Sequence, residues 1–293
     1  VRRGLVTALV LLPMALIAGT LALWPAAQPL PAHPFWSGPG PRVIAHRGGR
    51  GLWPENTLHA FRNAAAFGVD VLEMDLRQTA DGQIVVLHDE TVDRTTDGQG
   101  HVAALTVAEL QRLDAGYRWT ADAGRSFPFR GQGIVVPTLR EVFAALPQAR
   151  MNVEIKGRGV AMAAPLCALI REHAMEPRVA VVAVDQEPLD AFRRACPQVA
   201  TGATRNEVAR FTLLSAAFLG RWFTPQAQML QVPERLGPLP LLTQRFLRDA
   251  RRLNVKVEVW TIDAPEDMRR LLALPVDGIM TDFPDRLLPL LRR

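Results

Sequence analysis

The sequence predicts an α/β chain whose main body is a (β/α)8 barrel, and three observations carry that expectation. Eight short apolar runs rich in branched residues recur from Val43 onward. Amphipathic stretches with helix-start signals separate nearly all of them, the alternation of a parallel sheet covered by helices. Acidic, basic and histidine side chains collect near the ends of these runs, where function gathers in a barrel.

The runs are "VIAH" (43–46), "VLEMDL" (71–76), "NVEIK" (152–156), "VAVVAV" (179–184), "VATGA" (199–203), "MLQVP" (229–233), "VKVEVWT" (255–261) and "GIMTD" (278–282). Between the first two, Asn56 can cap a helix whose Leu58, Phe61 and Ala65 share one face and which Gly68 stops. "TVAE" (106–109) and "TLRE" (138–141) are capping-box patterns, and "DAPE" (263–266) can start a further helix in the same way.

Residues 71–89 depart from the alternation. Only a short Asp81-Gly82 turn joins Leu76 to Ile84, a strong hairpin signal, whereas a parallel crossover needs a dozen residues or more. The arm at 83–87 is therefore expected to lie antiparallel beside the second run. With the turn centred on Ala80 and Asp81, residue numbers summing to about 161 pair across the arms, which sets Glu73 opposite His88. A long excursion with few β-runs follows, up to Asn152. Connections of that length form lids or small subdomains, and an inserted subdomain is expected at about 90–136.

At the N-terminus, Arg2 and Arg3 precede "GLVTALVLLPMALIAGTLALW" (4–24), which carries no charge and is long enough to span a bilayer. Positive charge ahead of it predicts a cytoplasmic N-terminus with everything after Trp24 outside. Residues 1–24 are read as an uncleaved transmembrane anchor; a cleaved signal peptide, and so a secreted protein, is the alternative. Residues 25–41, "PAAQPLPAHPFWSGPGP", read as a stiff proline-rich linker, and 42–293 as the barrel domain. "FTLLSAAFLGRWF" (211–223) is too short to span. A core helix is its default reading and a lipid- or substrate-tail-facing surface the sharper one. Cys167 and Cys196 sit in helical patterns and are read as buried thiols, although an extracytoplasmic location would permit a disulfide.

The net charge of +5 comes from scattered arginines, with no run of five basic residues. Nucleic acid is therefore not the expected partner, whereas anionic lipid or a phosphate-bearing substrate suits such a surface.

Strand alternation puts Glu73 and Asp75 on one face, and Glu154 and Lys156 repeat the arrangement on a later strand. Three carboxylates facing a barrel interior repel one another unless a cation neutralises them. Oxygen-only ligands select a hard divalent ion, calcium or magnesium, over zinc. A network of structural salt bridges is the alternative. Lys156 offers a point charge to an anionic substrate oxygen, and Arg47 suits bidentate phosphate binding. A lone strand-end histidine is ordinarily a core residue, but His46 and His88 both end β-runs next to these acids. Two imidazoles can divide base and acid work on a P–O bond, with Asp89 or a neighbouring acid orienting one ring. There is no G-x-S-x-G elbow and no zinc-type Cys/His spacing.

The stretch "IAHRGGRGLWPENTLHAFRNAAAFGVDVLEMDLRQTADGQIVVLHDETVDRTTDGQG", followed by "VPTLREVF", "MNVEIKG" and "VEVWTIDAPEDMRRLLALPVDGIMTDFPDRL", resembles the glycerophosphodiester phosphodiesterase family over residues 43–288. The resemblance implies a TIM barrel with an inserted subdomain, a calcium or magnesium ion on Glu73, Asp75 and Glu154, and His46 and His88 as general base and acid. It places Arg47 and Lys156 on the phosphate and makes Trp260 similar to an aromatic residue lining the substrate site. Asp263 stands where the family usually has Asn. The implied reaction is metal-dependent hydrolysis of glycerophosphodiesters to glycerol 3-phosphate and an alcohol. Residues 214–260 resemble the membrane-associated branch that acts as lysophospholipase D, so hydrolysis of lysophospholipids to lysophosphatidic acid is a second expectation. A non-catalytic, membrane-tethered receptor for phosphodiesters is a third.

Overall fold

The computed structural model describes residues 25–157 and 159–291. The expected transmembrane segment at 4–24 lies outside them; among the described residues no helix is long and apolar enough to cross a membrane.

All eight expected runs are strands. They are β1 (Arg42–Ala45), β2 (Val71–Gln78), β4 (Met151–Ile155), β5 (Val179–Val182), β6 (Ala200–Thr201), β7 (Met229–Val232), β10 (Lys256–Val259) and β11 (Gly278–Thr281). They hydrogen-bond in the order β6-β5-β4-β2-β1-β11-β10-β7, and a parallel bridge between Gly202 and Met229 brings the two ends together. This is a nearly closed parallel barrel of the TIM type. Helices cover it: α1 (Leu58–Phe67), α3 (Leu139–Ala145), α4 (Ala163–Glu172), α5 (Gln186–Ala195), α6 (Arg205–Ala216), α7 (Gln244–Arg252), α8 (Pro265–Leu272) and α9 (Pro284–Leu287).

Side-chain parity divides the strands cleanly. Leu72, Met74, Leu76, Val153 and Ile155 point outward and pack against Phe61, Phe143 and Phe192. Ile44, Val71, Ala180 and Met280 point inward. Two-residue periodicity then carries Glu73 and Asp75 inward from Val71, with Glu154 paired to Asp75 on the neighbouring strand.

Phe35, wholly buried, joins the inward cluster. The proline-rich stretch is therefore not a free tether. It runs across the N-terminal end of the barrel, where Ala27 N–H donates to the Arg221 carbonyl (2.8 Å) and Leu30 N–H to that of Leu253 (2.9 Å). Arg42 locks it from inside, donating to the carbonyls of Phe35 and Ser37 while its guanidinium lies 4.7 Å from the Trp36 ring. An aromatic plug stabilises a barrel end through apolar burial, which the polyproline-like composition concealed.

The antiparallel arm is β3 (Ile84–Val86). Its register is Leu76 to Val86, Arg77 to Val85 and Gln78 to Ile84, one residue away from the expected pairing. The turn is the cause: Thr79 N–H donates to Gln83 O and Gly82, at φ 75°, donates back to Thr79 O. That makes a three-residue loop with a left-handed glycine instead of a centred two-residue turn. The ladder stops at Val86, so His88 stands beyond it on a loop and not opposite Glu73.

Other local expectations also shifted. Thr57 caps α1, while Asn56 adopts φ 58° and is used elsewhere. Ala264, not Asp263, precedes α8. Both capping boxes are present, Thr106–Glu109 at α2 (Val107–Leu110) and Thr138–Glu141 at α3. Cys167 and Cys196 are joined in a disulfide that ties α4 to the end of α5, in place of the two thiols expected. In the stretch 211–223, Phe211 and Phe223 are core residues, whereas Leu213 and Phe218 face solvent. A short hairpin with no counterpart in the sequence reading, β8 (Arg235–Leu236) with β9 (Leu239–Pro240), follows β7 at the barrel mouth.

Candidate active site

Glu73 and Asp75 project from within β2, Glu154 and Lys156 from the end of β4, His46 and Arg47 from the turn after β1, and His88 from the loop after β3. After β1 the chain turns sharply through His46–Gly48, with Arg47 at φ 51°. Gly48 permits this: a Cβ there would sit 2.9 Å from both Ala60 and Phe61, so the turn can rest directly on α1. The turn aims the Arg47 N–H at Glu73 Oε2 (2.7 Å) and leaves His46 Nε2 4.0 Å from the same oxygen.

Glu73, Asp75 and Glu154 each offer an oxygen, all within 4.8 Å of one another. Glu73 and Asp75 are buried. Burial, and then the Asp75 charge, push the Glu73 carboxyl far above its ordinary value. Asn152, paired with Glu73 across β2 and β4, is buried with both amide atoms lacking a protein partner. An all-oxygen donor set with excess negative charge and orphaned polar atoms fits a divalent metal, so these three acids could hold one. Lys156 Nζ spans two of them, 2.9 Å from Glu154 and 3.2 Å from Asp75. Arg47 lies 3.3 Å from Asp75 and 2.9 Å from Glu55. Asn56 closes the group, its amide donating to Asp75 Oδ2 (2.9 Å) while its oxygen accepts the Asp75 N–H.

Each histidine has its own acid. His46 Nδ1 lies 2.6 Å from Asp282 Oδ1, and His88 Nδ1 lies 2.6 Å from Asp89 Oδ1. An Nδ1–H donated to carboxylate leaves Nε2 with a free lone pair. Burial disfavours the charged His46 ring, but the Asp282 hydrogen bond and the charges of Glu73 and Asp282 outweigh it and raise its basicity. Asp282 is itself fixed by Arg50 Nε (2.7 Å) and by its own N–H, which donates to Asp263 Oδ1 (2.8 Å).

The structure thus brings His46, Arg47, Glu73, Asp75, Glu154 and Lys156 into one contact network. Trp260 stands apart from it, 43% exposed at the rim. It lines an apolar cleft of about 350 Å³ with Val184, Val208, Leu236 and Leu241, and Glu154 belongs to that lining as well.

The pattern of the glycerophosphoryl diester phosphodiesterase family matches residues 46–286, from the first histidine of the site to α9. The chain belongs to that family. Among its relatives, a glycerophosphodiester phosphodiesterase of Caldanaerobacter subterraneus subsp. tengcongensis is 34% identical over 259 residues, 86% of this chain and 98% of that protein. The crystal structure of a glycerophosphodiester phosphodiesterase from Agrobacterium tumefaciens is 26% identical with a TM-score of 0.68, covering 85% of this chain and 99% of that one. A lysophospholipase D of Mus musculus is more distant, 26% identical with 84% of each chain covered.

Sequence reasoning missed three residues of this network: Asp282, Glu55, and Asn56, whose side chain bonds Asp75. Asp282 was detectable in principle. In a closed barrel the last strand lies beside the first, and Thr281 does pair with Ala45, which sets residue 282 next to residue 46.

Proposed function

We propose that this chain hydrolyses glycerophosphodiesters to glycerol 3-phosphate and an alcohol, using a divalent cation, Ca2+ or Mg2+, held by Glu73, Asp75 and Glu154. The observation that carries this reading is a pair of histidines, each hydrogen-bonded to its own aspartate, together with a three-carboxylate cluster whose Glu73 lies 4.0 Å from His46. When bound, the cation supplies Lewis-acid stabilisation to the non-bridging phosphoryl oxygens. Arg47 and Lys156, already beside the cluster, add positive charge on the same oxygens. His46, oriented by Asp282, takes at Nε2 the proton of the nucleophile, either water or a neighbouring substrate hydroxyl whose cyclic phosphate water then opens. His88, held through Nδ1, delivers a proton to the leaving alcohol from Nε2. The family membership, the relatives' names and the site geometry all support this assignment.

A second reading, lysophospholipase D activity, is favoured by one feature. The cleft beside Glu154 is lined by Val184, Leu236, Leu241 and Trp260, and apolar walls of that kind suit an acyl chain. A purely binding function is disfavoured by the complete acid–base apparatus. For location, the uncharged segment at 4–24 supports an anchored, extracytoplasmic domain, or a secreted one after cleavage, and a disulfide suits either.

The test is a substrate panel of glycerophosphodiesters and lysophospholipids, each with Ca2+, with Mg2+ and with chelator. Metal-dependent release of glycerol 3-phosphate is expected. No turnover of any phosphodiester with either metal would sink the enzyme reading.

A further inference from the structure

Arg94 belongs to the excursion after β3, and its guanidinium is shared between two carboxylates. Its Nε lies 2.5 Å from Asp89 Oδ2 and its Nη2 3.3 Å from Asp89 Oδ1. Its Nη1 and Nη2 each lie 2.8 Å from an oxygen of Glu55. Glu55 in turn receives Arg47 Nη1 at 2.9 Å. Burial opposes ionisation of Glu55, but the two guanidiniums hold its carboxyl at about 2, so the bridge stays charged across the working range of pH. The result is an unbroken chain, His88–Asp89–Arg94–Glu55–Arg47, from one side of the mouth to the other.

We propose that Arg94 is a positioning residue: clamped by Glu55 and Asp89, it sets the orientation of the His88 imidazole and ties it to the loop bearing His46 and Arg47. The inference rests on the reading above in which His88 transfers a proton. The backbone of His88 is fixed separately, since Arg77 donates to its carbonyl from Nε (3.1 Å) and Nη2 (2.8 Å). Ring direction is left to the Nδ1 bond with Asp89. Asp89 is 30% exposed, and a half-exposed ion pair by itself does not impose one geometry. With Oδ2 held at 2.5 Å by Arg94, Asp89 is restrained with Oδ1 toward the ring, at 2.6 Å from Nδ1 and a longer 3.3 Å from Arg94 Nη2. The partners of Arg94 belong to two separate loops, and its own side chain is 46% exposed. Its removal is therefore expected to disturb alignment more than folding.

A double-mutant cycle on the full chain with saturating Ca2+ or Mg2+ tests this. Arg94→Ala is expected to lower kcat roughly 100-fold with a much smaller change in KM, the cost of a misaimed catalytic group. His88→Ala is expected to lose about 10²- to 10⁴-fold. The double variant should be no slower than His88→Ala, because Arg94 then has nothing to position. Glu55→Gln, which keeps the shape of the clamp, should show a smaller loss with the same lack of additivity. Arg94→Lys should recover only part of the rate, since an ammonium cannot fork onto two carboxylates. Losses that multiply in the double variant would overturn the proposal, as would an Arg94→Ala enzyme with wild-type kcat. A His88→Ala enzyme with full activity would overturn the assignment of His88 first, a result distinct from additivity.

Discussion

His46 and Asp282 are 236 residues apart in the chain and 2.6 Å apart in space, Nδ1 to Oδ1. The bond joins the end of the first barrel strand to the end of the last, so the His46 ring is oriented only when the barrel has closed. Asp282→Asn tests what the contact does. An amide can turn its NH2 donor toward Nδ1, so it neither secures the Nδ1–H tautomer nor stabilises the imidazolium, and kcat is expected to fall at least about 100-fold with KM little changed. Retention of most of the wild-type kcat in a folded variant would show that Asp282 is structural.

Metal binding can be read without turnover. A ligand that binds only the folded state raises the unfolding temperature with its concentration. Adding Ca2+ or Mg2+ to chelator-treated protein is expected to raise Tm, and Glu154→Gln should abolish or strongly reduce that rise. Glu154 is the least buried of the three acids, so its replacement leaves the core intact. Identical metal-induced shifts in both proteins would remove Glu154 from the ligand set.

Glu258 gives a pH dependence of stability. It points into the barrel from β10, fully buried, and accepts a hydrogen bond from Gln231 at 2.7 Å. Burial raises its carboxyl from an ordinary 4.5 to about 7, which the Gln231 bond and Arg42 only partly oppose. The folded state therefore holds this proton more tightly than the unfolded chain does. Its contribution is present in full below about 4.5, is lost as pH rises through about 7, and is absent above. Glu258→Gln should match the wild type near pH 4.5 and exceed it at pH 8 by on the order of 3 kcal/mol. Urea unfolding at the two pH values checks this; parallel stabilities would contradict it.

The apolar cleft decides between substrate classes. Leu236 on the β8–β9 hairpin and Trp260 at the rim both line the cleft. Leu236→Ser and Trp260→Ala are expected to reduce kcat/KM for a lysophospholipid about 10-fold or more, the scale of losing one or two buried apolar groups. Turnover of glycerophosphocholine should change far less. Equal losses on both substrates, in folded variants, would remove the acyl-chain reading of the cleft.

The sequence by itself determined what depends on covalent alternation. Successive side chains on a strand point to opposite faces, so Glu73 with Asp75, and Glu154 with Lys156, had to share a face once those segments were strands. The same logic made the eight runs legible as barrel staves, since branched apolar residues at that spacing are buried on both faces. Tertiary structure decided what depends on segments distant in the chain. Barrel closure selected Asp282 for His46; the fold of the excursion carried Arg94 to Glu55; helix packing joined Cys167 to Cys196. Phe35 became a plug because the open barrel end offered an apolar cavity, which no local feature of a proline-rich segment announces. Even the hairpin register turned on one left-handed glycine, Gly82, and the loop length it allowed. Periodicity is written residue by residue, whereas these contacts exist only after the chain has paid the entropy of bringing remote loops together.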